Sequence, residues 1–131
     1  MADENEEYGG EWYAYENGET LNDLGPTNGT VLRDEELGER EDEDDTDARL
    51  TMEEGRAPAT GFFLTATFYG WMYHTHQVAT QAEGEAAYQA MKAELERMAL
   101  LIPYEEDGAK GAADKAAHLT EAIAAFERRF A

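Results

Sequence analysis

The chain has 131 residues, of which 30 are Asp or Glu and 10 are Lys or Arg, giving a formal net charge of −20 at pH 7. That balance excludes nucleic-acid binding, which needs basic side chains to neutralise phosphates, and it excludes adsorption to anionic lipid. The length suits one domain around a single core, and a hydrophobic content of 42% argues for a folded chain despite the charge.

Residues 1–10 open with Met1, Ala2, Asp3 and Glu4 and are expected to be disordered; an acidic start also lacks the basic segment of a signal peptide. Residues 11–16, with Trp12, Tyr13 and Tyr15, are β-prone. Asn17-Gly18 follows, a pair favoured in two-residue hairpins because both positions tolerate positive φ, so a short return strand through Glu19, Thr20 and Leu21 is expected. Residues 22–29 contain Gly25-Pro26 and Asn28-Gly29 and read as a loop. Strands are expected at 30–35 and 48–53, the second alternating Ala48, Leu50 and Met52 with Arg49, Thr51 and Glu53. Between them, 36–47 read as a flexible acidic loop, densest from Glu41 to Asp47.

Residues 62–76 alternate with period two. Phe62, Leu64, Ala66, Phe68, Met72, His74 and His76 share one face, and Phe63, Thr65, Thr67, Tyr69, Trp71, Tyr73 and Thr75 share the other. One straight strand of that length would span about 50 Å, too long for so small a domain, so the segment must bend or break, most readily at Gly70. Two helices follow. Thr80 and Glu83 form a capping box before a stripe of Tyr88, Met91, Leu95, Met98 and Ile102, which predicts a helix over 81–101. After Pro103 and Gly108, Ala112, Ala116, Leu119, Ile123, Phe126 and Phe130 mark a second, with Arg128 and Arg129 at its C-terminal end. The expected fold is α+β: an antiparallel meander of four to five strands over 11–76, then two antiparallel helices over 80–131, packed on the face carrying Phe62, Leu64 and Phe68.

Charge is uneven, with 20 acids against 4 bases in residues 1–60 and 10 against 6 in 61–131. Only 3 of the 10 basic residues are lysines, Lys92, Lys110 and Lys115, and alanine is abundant, as in proteins adapted to high salt. The acidic run is read first as a solvated loop of such a protein. A calcium loop with Asp42, Asp44, Thr46 and Glu53 as ligands fails at the position that must be Gly, here Asp47. A DNA mimic remains a further alternative, although its charge should be spread over an ordered surface.

The chain has no cysteine, so no disulfide, thiolate nucleophile or Cys-type zinc site exists, and a cytoplasmic location is expected. The uncharged stretch 61–82 is interrupted by Thr65, Thr67, His74, Thr75 and His76, and a membrane span needs about 20 mostly apolar residues. No Ser-His-acid set or phosphate-cradling glycine loop occurs. The acid pairs Glu35-Glu36, Glu53-Glu54 and Glu105-Glu106 read as surface, and no residue is singled out as catalytic. His74 and His76 project from one strand face and, with His118 or a carboxylate, suggest a metal site; against this stands a pair of rings packed at the core margin and bonded to backbone. Tyr69, Trp71 and Tyr73, with Tyr13 and Tyr15 from a neighbouring strand, form the candidate binding patch. It reads as a second core under the N-terminal segment or acidic loop, as a ligand or protein surface, or as a homodimer interface. The expectation is a non-enzymatic module binding an unknown protein or small ligand, without cofactor, nucleic acid or membrane, as monomer or homodimer. The alternative is a small metal-dependent enzyme using His74 and His76.

Overall fold

In a computed structural model, which describes residues 10–38 and 46–131, alternation and turn chemistry build five strands. They are β1 (Glu11–Ala14), β2 (Thr30–Gly38), β3 (Thr46–Glu54), β4 (Phe62–Phe68) and β5 (Met72–Val78). All neighbours are antiparallel and the spatial order is β1-β2-β3-β4-β5, so the chain meanders across one sheet. Two helices follow, α1 (Gln81–Ala99) and α2 (Gly108–Arg129), and both contact the sheet. This is the α+β architecture that the period change from two to 3.6 implies.

One face of the sheet supplies the core. Ala48, Leu50 and Met52 of β3, and Leu64, Ala66 and Phe68 of β4, are fully buried against Tyr88, Met91, Leu95 and Met98 of α1 and Leu119, Phe126 and Phe130 at the distal part of α2. Burying each large apolar side chain contributes about 2 kcal/mol. Helix α1 begins at the Thr80/Glu83 capping box, in which the Thr80 hydroxyl accepts from Glu83 N–H and the Glu83 carboxylate accepts from Thr80 N–H. It stops at Ala99, short of 101, where Leu100 N–H bonds back to Arg97 O and Pro103 lies just beyond. Among the described residues no helix is long and apolar enough to cross a membrane.

The 62–76 segment breaks at Gly70, whose φ is +84°, and returns as a hairpin. Phe68 pairs with Met72 and Ala66 with His74, so the face assignment survives the reversal. Three expectations need correction. The return strand at 19–21 does not form. Tyr15–Gly18 is a 3-10 turn in which Glu16, Asn17 and Gly18 all take positive φ, and 15–29 then crosses the second sheet face as a strap before entering β2. The cause is chemical: Asp34 and Glu53 are buried acids on that face, and the strap brings them donors. The loop bounds 36–47 are also too wide, because Leu37 and Ala48 pair in the core and carry β2 to Gly38 and start β3 at Thr46. The remainder of that loop, and the expected disorder at 1–9, lie outside the described residues. Finally, β1 pairs with β2 directly, Tyr13 facing Glu36, where sequence suggested a local hairpin partner.

Candidate binding surface

The second face of the sheet is ordered in rows by the strand register. One row runs Tyr13, Glu36, Arg49, Thr67, Tyr73; the next runs Asp34, Thr51, Thr65, Thr75; a third runs Val31, Glu53, Phe63, Gln77. The strap covers the β2–β3 end of these rows and leaves the β4–β5 end uncovered.

Under the strap every strong charge is answered. The Asp34 carboxylate accepts from Arg49 Nε at 2.9 Å and Nη2 at 2.7 Å, from Thr51 Oγ1 at 3.0 Å and from Thr20 Oγ1 at 2.9 Å. This bidentate bond to Asp34 raises the pKa of the Arg49 guanidinium above its ordinary value. The guanidinium also lies 3.7 Å from the centre of the Tyr15 ring. Burial pushes the Tyr15 phenol up, with Arg49 opposing. Glu53, fully buried, accepts from Thr27 N–H at 3.1 and 3.2 Å and from Gly29 N–H at 2.9 Å. A side chain on Gly25 would fall 2.8 Å from Glu53 Cγ, so glycine is required there by close approach. Glu53, the last ligand of the calcium register, is thus engaged by the strap, and Asp42 and Asp44 of that register lie outside the described residues.

The hairpin turn carries the candidate patch. Trp71 N–H donates to Phe68 O at 2.8 Å and Tyr69 N–H to Asp47 O at 3.0 Å, which fixes the turn against β3. Tyr69 and Trp71 are each 40% exposed and Tyr73 is 63% exposed. Tyr69 leans inward, its hydroxyl donating to Glu36 at 2.8 Å; partial burial, then this bond, push its phenol up. Trp71 and Tyr73 face outward. Glu36, Arg49 and Thr67 separate Tyr13 from Tyr73 in their row, whereas Tyr15, stacked on Arg49, stays within electrostatic reach of Tyr69. Next to Tyr73 the open surface continues through Thr75 and Gln77, uncharged throughout.

His74 and His76 lie on the opposite, helix-facing side. His74 Nε2 is 2.8 Å from Phe130 O, with its ring edge-on to Phe126, and His76 Nδ1 is 3.3 Å from Ala131 O, its ring against Phe130. Both imidazoles are thus bonded to backbone at the end of α2. His118 sits exposed on α2, and among the described residues no three His, Cys, Asp or Glu side chains converge to hold a metal. The acid pair Glu35-Glu36 also parts. Glu35 points to the helices, where it accepts from Tyr88 OH at 2.8 Å and pairs with Lys92 at 2.8 Å, while Glu36 meets Tyr69 on the other face.

Sequence reasoning missed the Asp34–Arg49 and Glu53 clusters. Their only local mark is an acid within β-strand alternation, which any solvent-facing strand acid shares; the partners that bury them, Thr20, Thr27 and Gly29 among them, come from distant sequence. Compared with protein-family models, curated proteins and solved structures, the chain matches none.

Proposed function

We propose that this chain is a small non-enzymatic binding module of a salt-adapted cytoplasm, and that Tyr69, Trp71 and Tyr73 form its contact surface. The observation that carries the reading is the contrast on one sheet face: the half rich in charge is covered and internally paired, and the uncharged half presents Trp71 and Tyr73 to solvent. Aromatic side chains of this kind supply large contact area together with a polar handle, and they dominate the energetics of many interfaces. The field of a −20 chain adds selectivity, steering acidic competitors away from the neutral patch.

The test is Trp71→Ala, alone and with Tyr73→Ala. A surface role predicts a melting temperature within about 3 °C of the parent, since exposed substitutions change stability by about 0.5 kcal/mol. It also predicts that proteins cross-linked to the parent chain in cells of its source are lost selectively from the variants. A drop of 10 °C or more on replacing Trp71 would instead make the patch part of a second core and end the proposal.

A further inference from the structure

The two edges of the sheet are unlike. Strand β1 has 4 residues and is tied to α1 by Trp12 Nε1, which donates to Glu96 at 2.8 Å. Strand β5 has 7 residues, no described strand pairs with its outer side, and no backbone group in it bonds to a described segment other than β4. Edge strands are ordinarily blunted by shortness, Lys, Pro, charge or a bulge. Residues 72–78 contain no Lys, Pro or charged side chain, and their register with β4 is unbroken from Phe68↔Met72 to Phe62↔Val78.

We propose that this edge pairs with the same edge of a second copy, antiparallel about a twofold axis through Thr75, joining the two sheets into one. The strand is self-complementary in that register. Thr75 faces Thr75 of the second copy, His74 faces His76, Tyr73 faces Gln77 and Met72 faces Val78. Met72, His74, His76 and Val78 are on the helix side and Tyr73, Thr75 and Gln77 on the open side, so each pair joins residues of one face, as cross-strand neighbours must. No pair sets like charges opposite each other. Charge also favours this seam, because β5 lies within the uncharged run 57–82, so two copies carrying −20 each meet there without facing acids. Repulsion between the remaining acids acts over about 10 Å in 0.1 M salt and about 3 Å in 1 M, so pairing strengthens with salt. Tyr69 and Trp71 stay outside the seam and Tyr73 lies in it, facing Gln77; this inference does not depend on the binding reading.

Sedimentation velocity of the full chain in 0.05 M and 2 M KCl tests the salt response; self-association at least about tenfold tighter in 2 M is expected. Geometry is tested by cross-linking. The chain has no cysteine, so Thr75→Cys introduces the sole thiol. On the axis its two copies have Cα atoms about 4.5 to 5.5 Å apart, within disulfide reach, and oxidation in 2 M KCl should give a covalent dimer. Gln77→Cys alone places its thiols about 13 Å apart and should not cross-link, but should do so when mixed with Tyr73→Cys. Trp71→Ala should dimerise as the parent does. A chain that stays monomeric at 0.1 mM in 2 M KCl would overturn the proposal, as would Gln77→Cys cross-linking as readily as Thr75→Cys, or a dimer abolished by Trp71→Ala.

Discussion

At the scale of single residues, the strap is held by an acid that has no exposure to solvent. Glu53→Ala would leave the Thr27 and Gly29 N–H groups buried without an acceptor. Two such losses cost about 2 to 4 kcal/mol together, which urea denaturation should register as a lower midpoint at unchanged slope. Gly25→Ala acts on the same contact from the other side and should destabilise by about 1 to 3 kcal/mol through overpacking. Tyr88 sets a pH limit. Its phenol, fully buried, is pushed far above the ordinary value by burial first and then by the Glu35 charge and its hydrogen bond to that carboxylate. A raised folded pKa means the neutral form is favoured in the native state, so this contribution is complete below about pH 10 and is lost as pH rises beyond it. Tyr69 and Tyr15 shift the same way. Stability measured by chemical denaturation should fall above pH 10, with Tyr88 supplying up to about 1.4 kcal/mol per pH unit, and Tyr88→Phe should flatten that slope.

At the scale of elements, the hairpin between β4 and β5 rests on one backbone angle. A Cβ at Gly70 would meet nothing within 4 Å, so Gly70→Ala pays only for φ +84° and should cost about 1 to 2 kcal/mol without moving the register. A much larger loss in thermal unfolding would show that the turn has a packing role. The same element explains what could be read from sequence. Period-two alternation in 62–76 and the spacing of Tyr88, Met91, Leu95 and Met98 are local and strong, and they specified both the core face and the helix that covers it. The break at Gly70 was also readable, since only glycine fits a left-handed turn cheaply. The strap was not readable. Asn17-Gly18 has positive φ as its type prefers, yet what directs the chain onward is Glu53, 35 residues away from Gly18 and indistinguishable in sequence from any surface acid. The grouping of Tyr69, Trp71 and Tyr73 follows from their local pattern, while the distance of Tyr13 from Tyr73 depends on the long-range register through Glu36, Arg49 and Thr67.

At the scale of the whole molecule, the charge of −20 opposes folding by self-repulsion, and salt relieves it. A gain of about 2 kcal/mol between 0.1 and 2 M KCl would raise the melting temperature by about 6 to 10 °C for a domain of this size. A melting temperature that is flat or falls over that range would contradict adaptation to salt. The described ion pairs do not change this expectation. Arg33–Glu85, Lys110–Asp114 and Arg129–Glu94 are exposed and individually contribute under about 1 kcal/mol, and Arg49–Asp34, the best shielded, is screened least.

The two tryptophans sit at opposite edges of the sheet. Trp12 lies in β1, its indole bonded to Glu96 and with the Lys92 ammonium 5.2 Å from its ring, whereas Trp71 stands at the tip of the turn leading into β5. The protein therefore carries two intrinsic fluorophores in different electrostatic surroundings. A neutral quencher such as acrylamide and a cationic one such as caesium will sample them unequally, so docking of β1 on α1 and events at the β5 edge can be followed as separate optical signals in the same unlabelled chain.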